Sequence, residues 1–130
     1  MQILAPIDGS DCSFRALTFA CGMAKAYGGD LHVVHITDVQ NEATEEILDR
    51  ARGVLDAEGV DGDPEVTTDL NLSSRPSKRV GEDILELVEE EGYDHIVMGH
   101  HGQGRVERLV LGSAASTVLE SNKIPATIIP

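Results

Sequence analysis

Cysteine is scarce in this sequence, two in 130 residues, which is too few for the disulfide framework of a small secreted scaffold. No apolar run approaches the roughly 20 residues that span a bilayer. The opening MQILAPIDGS also lacks the charged and apolar regions of a signal peptide. No membrane partner is expected, and a cytoplasmic location is. Positive charge is scarce too: 10 Lys and Arg stand against 23 Asp and Glu, for a formal charge of −13. Nucleic-acid binding is not expected, because neutralising phosphates needs a basic face. Such acidity suits a salt-rich cytosol, where repulsion is screened and a hydrated surface keeps the protein in solution. Aromatics make up 3% of the chain, yet 41% of it is hydrophobic. A chain of this size buries roughly two-thirds of its unfolded surface, so residues 1–130 are expected to form one domain.

The apolar residues alternate between two periods. Runs at 2–7 (QILAPI), 31–36 (LHVVHI), 95–99 (HIVMG) and 125–129 (PATII) read as buried strands, and 66–72 (VTTDLNL) as a weaker one. Between them, Phe14, Leu17, Cys21 and Ala24 recur at helical spacing, as do Ile47, Leu48, Ala51, Val54 and Leu55. A third helix is expected from Pro76 to Gly92 on the stripe Val80, Ile84, Leu87 and Val88, and a short fourth over 113–120. The order βαβαβαβαβ predicts right-handed crossovers and a five-stranded parallel sheet covered on both faces, a three-layer α/β/α sandwich. In such sheets ligands sit beyond the carboxyl ends of the strands, where the strand order reverses.

The strongest local feature is GHHGQGRVERLVLGS, residues 99–113, in which Gly99, Gly102, Gly112 and Ser113 punctuate the path from a strand end to a helix start. Glycines let backbone N–H groups approach a ligand, and a helix N-terminus adds unpaired donors and a positive partial charge. Arg105 and Arg108 against Glu107 make the segment locally positive on an acidic protein. These are the parts of a phosphate cradle, although a purely structural turn would use the same glycines. A Walker A loop is not present, since Arg105 replaces Lys and Val106 replaces the Mg²⁺-binding hydroxyl. Nor is it a dinucleotide fingerprint, since Glu107 follows Gly102 and Gly104 where the third Gly belongs.

With these residues the chain resembles the universal stress protein family, in its nucleotide-binding branch, whose signature is Gly-x2-Gly-x9-Gly-Ser/Thr. Gly99, Gly102, Gly112 and Ser113 match that signature, and ILAPIDGS, LHVVHI, DILELVEEEGYDHIVMGHHG and IPATIIP extend the resemblance over the chain. The resemblance implies a Rossmann-like sheet of order 3-2-1-4-5, of the adenine nucleotide alpha hydrolase-like type, with ATP across the switch between strands 1 and 4. It implies an adenosine half lined by Pro6, Ile7 and Asp8, with Ile36 and Met98 against the base. The phosphates would rest on Gly99, His100, His101, Gly102, Gly112, Ser113 and Ala114, and would carry Mg²⁺ or Mn²⁺ with them. Two positions depart from the family's pattern. His100 stands where Ser or Thr is frequent and Ala115 where another hydroxyl is common, which lowers the number of phosphate contacts expected. The function implied is a nucleotide-responsive stress regulator or protectant; the alternative is a dimeric interaction or signalling module of the same fold that binds no nucleotide. An adenylyl transferase would need an HxGH motif after the first strand, and His100-His101-Gly102 follows the fourth.

Other residues are assigned less. No general base can be placed in the loop from spacing, neither Glu107 nor His101, so at most slow ATP hydrolysis is expected. No resident metal is expected: His100 and His101 are adjacent, and no Cys or carboxylate falls at a familiar zinc spacing. His32 and His35 fall on opposite faces of their strand. Cys12 and Cys21 lie half a helical turn out of phase, about 13.5 Å apart along the axis, so they cannot pair. Cys12, at a helix N-terminus, could be activated, but it is read as an ordinary buried thiol. The acids between Asp38 and Asp69 are read as a solvated surface. The last strand, 125–129, carries no charge to protect a sheet edge, which predicts a homodimer through it; the family resemblance implies the same pairing.

Overall fold

The computed structural model describes residues 1–37, 40–67, 76–101 and 111–130. Five strands alternate with four helices: β1 Gln2–Ile7, α1 Asp11–Tyr27, β2 Asp30–Ile36, α2 Glu42–Glu58, β3 Glu65–Thr67, α3 Pro76–Glu91, β4 His95–Gly99, α4 Ser113–Ser121 and β5 Ala126–Ile129. The sheet is parallel throughout, in the order β3-β2-β1-β4-β5, as the resemblance implied. Among the described residues β3 covers Glu65–Thr67. The rest of the expected strand, 68–72, lies outside the described residues, as do Gly102, Gly104, Arg105, Val106, Glu107 and Arg108. Among the described residues no helix is long and apolar enough to cross a membrane.

The two-residue period of the strands divides the core into two layers. Ile3, Ala5 and Ile7 of β1, Leu31 and Val33 of β2 and Val97 of β4 face α1 and α2, where they meet Phe14, Leu17, Ala20, Cys21, Ala51 and Leu55. Leu4, Val34, Ile96 and Met98 face the other way, toward Ile84 and Val88 of α3 and Ala115 and Val118 of α4. The helices start where local chemistry dictates. Ser10 caps α1 by accepting from the Ser13 N–H, and Asn41 and Thr44 form a reciprocal capping box on α2. Pro76 opens α3, where its missing N–H has no helical acceptor to lose. On α2, Glu42, Glu45, Glu46, Asp49 and Asp56 are exposed, in keeping with a solvated acidic face.

Helices α3 and α4 approach closely at Gly81. A Cβ built there would lie 2.6 Å from Cβ of Thr117. Gly81→Ala is therefore expected to force α4 outward and to cost about 1–3 kcal/mol, as overpacking of a tight contact does. Urea unfolding of the variant beside the parent chain measures this; an unchanged midpoint would mean that α4 yields freely.

Candidate nucleotide site

In this strand order the chain turns one way after β1 and the other way after β4, and the two strands are neighbours. Their carboxyl ends therefore open a crevice. A cavity of about 180 Å³ occupies it. Its apolar walls are Pro6 and Ile7 from β1, Ile36 from β2, Met98 from β4, Val80 and Ile84 from α3, and Ala114 and Ala115 from α4. Asp8, Ser13, His101 and Ser113 supply its polar groups, with Gly99 and Gly112 beside them.

Asp8 sits where β1 gives way to α1 and is held by the turn it helps to build. Its Oδ1 accepts from the Ser10 N–H at 2.9 Å and from the Ser10 hydroxyl at 2.5 Å. The Ser10 Oγ in turn accepts from the Ser13 N–H at 3.1 Å, and the Ser13 hydroxyl donates to the Ser10 carbonyl at 2.8 Å. Ser10, not Asp8, is thus the helix cap. Asp8 orients the cap through one oxygen, and its Oδ2 accepts no hydrogen bond from the described residues.

On the opposite side of the crevice α4 begins at Gly112, which offers no side-chain cap. The first helical bond, from the Ser116 N–H to the Gly112 carbonyl, spans 2.9 Å. The N–H groups before it have no acceptor within the helix, and they lie at the cavity. Ser113 is therefore the first helical residue rather than the cap. The positive end of the helix dipole at such a start favours an anion.

Ten of the residues singled out in the sequence come together around this one cavity: Pro6, Ile7, Asp8, Ile36, Met98, Gly99, His101, Gly112, Ser113 and Ala114. His100 does not join them. Its N–H donates to the Ile129 carbonyl at 2.8 Å, continuing the ladder from β4 to β5, and its own carbonyl accepts from Gly112 at 2.5 Å. The His100 ring turns toward α1, with Nδ1 3.5 Å from Sγ of Cys12. Gly99 also has a tighter reason to be glycine than ligand approach. A Cβ there would lie 2.6 Å from Cys12 Sγ and 3.2 Å from the Ser13 nitrogen, so its absence lets β4 pass beneath the first turn of α1. Ser13, Val80, Ile84 and Ala115 line the cavity without having been assigned to it. The i, i+4 spacing of Val80 and Ile84 marked an inward stripe but not what it faces. His32 and His35 do diverge: His32 is exposed and bonds the Tyr93 hydroxyl at 2.7 Å, while His35 is buried against the Ile7 carbonyl at 2.8 Å.

A doubly wound parallel sheet with an apolar crevice and an uncapped helix N-terminus at its switch point defines an α/β protein of the Rossmann-like type. Residues 1–69 and 74–130 match the model of the universal stress protein family, and the chain belongs to that family. A universal stress protein of Thermus aquaticus is 34% identical over 98% of this chain and 96% of its own length. Among solved structures, the universal stress protein of Archaeoglobus fulgidus in complex with dAMP superposes with a TM-score of 0.74 at 23% identity, over 100% of this chain and 98% of that one. A universal stress protein in complex with cAMP gives a TM-score of 0.75 at 22% identity, over 100% and 97%.

Replacing Ser10 removes both the α1 cap and the hydrogen-bond partner of Asp8. Ser10→Ala is expected to lower stability by about 0.5–2 kcal/mol, the range for losing a helix cap. Denaturant unfolding at neutral pH checks this, and a stability equal to the parent's would mean that the turn holds without the hydroxyl.

Proposed function

We propose that this universal stress protein binds ATP in the crevice between β1 and β4 and works as a nucleotide-responsive stress regulator or protectant. The observation that carries the reading is the start of α4, which no side chain caps and whose Gly112, Ser113 and Ala114 line the same cavity as the apolar ends of β1, β2 and β4. The adenosine half lies against Pro6, Ile7, Ile36 and Met98, and the open oxygen of Asp8 accepts from a ribose hydroxyl or the base amine. Ser113 and Ala114 take phosphate oxygens through their backbone, with Gly112, His101 and Gly99 beside them. Gly102 is assigned to the same role by the family signature alone, and His100 is withdrawn from it because its N–H is bound to Ile129. Mg²⁺ or Mn²⁺ arrives with the phosphates, since such ions keep several waters and lean on the nucleotide. The dAMP and cAMP complexes of proteins with this fold support an adenine ligand.

Denaturing freshly purified protein and identifying what it releases by mass spectrometry tests the reading directly, followed by calorimetric titration of ATP with Mg²⁺. ATP or ADP is expected in proportion to the chain, and Gly112→Leu is expected to abolish the titration heat while the fold persists. If the parent chain releases no nucleotide and gives no heat, the cavity is a packing feature and the interaction-module reading replaces this one.

The chain pairs with a second copy through β5, which forms one edge of the sheet. The Pro125 and Ile129 carbonyls accept from Ile96 of β4 and from His100 just beyond it, so the alternation of the strand turns the amides of Ala126 and Ile128 outward. Ala126→Pro deletes one outward N–H and spares the inner ladder. Sedimentation velocity should show a dimer for the parent and a monomer for the variant; a monomeric parent would remove β5 as the interface.

A further inference from the structure

The first turn of α1 and the end of β4 bring together three side chains far apart in sequence. Cys12, His100 and His101 each offer one ligand atom, and these atoms all lie within 4.8 Å of one another. Sequence spacing gave no sign of this, because the cysteine reaches the histidine pair across the sheet. The packing that makes the contact is specific. Gly99 lacks the Cβ that would strike Cys12, and the two imidazole rings meet edge to face with centroids 4.2 Å apart.

We propose that Cys12, His100 and His101 form a three-ligand site for a thiophilic transition-metal ion of the zinc type. One thiolate and two imidazoles are donors that zinc accepts, whereas Mg²⁺ and Ca²⁺ require oxygen. The geometry is close to what the ion needs. With Zn–S near 2.3 Å and Zn–N about 2.0–2.1 Å, a tetrahedral S···N edge is about 3.5 Å, and Cys12 Sγ lies 3.5 Å from His100 Nδ1. His101 completes the set, its ligand atom lying within 4.8 Å of the other two. Cys12 is 1% exposed, and its thiol donates to the Ile129 carbonyl at 3.1 Å. On binding, the thiol releases its proton to solvent and the sulfur exchanges that hydrogen bond for the metal. The ion's charge then compensates a thiolate that burial would otherwise disfavour. Three protein ligands leave a fourth position for water, as in zinc sites that remain open. Although His101 also borders the nucleotide cavity, the metal site does not depend on a nucleotide being bound.

The test uses the full chain, reduced, stripped of metal by a chelator and free of nucleotide, so its outcome is independent of ATP binding. Titration with Co²⁺ alone should produce a sulfur-to-cobalt charge-transfer band that saturates at one ion per chain, and Zn²⁺ should displace it. Cys12→Ser keeps a hydroxyl for the Ile129 carbonyl. It should lose the band and weaken Zn²⁺ binding by more than about 100-fold, beyond the 10–100-fold typical of losing an outer partner. His100→Ala and His101→Ala should each weaken Zn²⁺ at least about tenfold and serve as the test should the serine variant not fold. His32→Ala, on the exposed face of β2, should change nothing. Cys21 does not confuse the readout: it is fully buried, and burial, with Glu58 nearby, pushes its thiol up to about 11. A parent chain with no charge-transfer band, or Zn²⁺ affinity unchanged by loss of Cys12 or of both histidines, would overturn the proposal.

Discussion

Strand β1 must satisfy two demands at once: it pairs with β2 along one edge and β4 along the other, and it buries both faces. Ile3, Ala5 and Ile7 enter one core layer and Leu4 the other, so no side of the strand is left for a polar residue. Parallel pairing on both edges then requires crossovers on opposite faces of the sheet. The chain leaves β1 toward α1 and leaves β4 in the opposite sense, and the crevice between their carboxyl ends follows from that geometry. The cavity is therefore a by-product of strand order, and evolution of a site there needs only to choose what lines it.

What lines it is unequal in a useful way. The α3 and α4 side of the sheet contributes mostly hydrocarbon, from Ile36, Val80, Ile84 and Met98, which favours a flat apolar group. Polar capacity is concentrated at the two helix starts. At α1 the capacity is largely spent internally, because Ser10 and Ser13 cap the helix and hold Asp8. At α4 it is unspent within the helix, since Gly112 provides no side chain. Two adjacent helix N-termini, one capped by a side chain and one not, distinguish a helix-start end from a carboxylate-bearing end within one crevice. This polarity matches a nucleotide better than it matches a symmetric or wholly apolar ligand.

Much of this was legible in the residues. The continuous apolar runs at 2–7, 31–36 and 95–99 announced strands buried on both faces. Strand β3 was harder, because an edge strand contributes little burial and Glu65 and Thr67 carry no strong alternation. Within the site, residues close in sequence to the glycine signature were found, while Ser13, Val80 and Ile84 were not. Their role depends on which helix faces which strand, a property of the crossover and not of local pattern. The same reason hid the meeting of Cys12 with His100, which requires the end of β4 to lie beneath the first turn of α1. His100 is placed differently from the rest of the motif. It continues the ladder of β4, and its amide goes to the Ile129 carbonyl of the neighbouring strand.

That last point links parts of the molecule that the motif treats separately. The His100 amide binds the Ile129 carbonyl of β5, the His100 carbonyl receives the Gly112 amide, and the Gly112 carbonyl receives the first helical bond of α4. Cys12 adds a second donor on Ile129 from α1. One short backbone relay thus runs from the edge strand through the end of β4 to the helix whose N-terminus borders the cavity. Hydrogen bonds in such a chain polarise one another in the same direction, so ligand site and sheet edge are mechanically and electrostatically contiguous. In this fold the edge strand is therefore not merely the last element added to the sheet; through His100 it helps to hold the start of α4 beside the cavity.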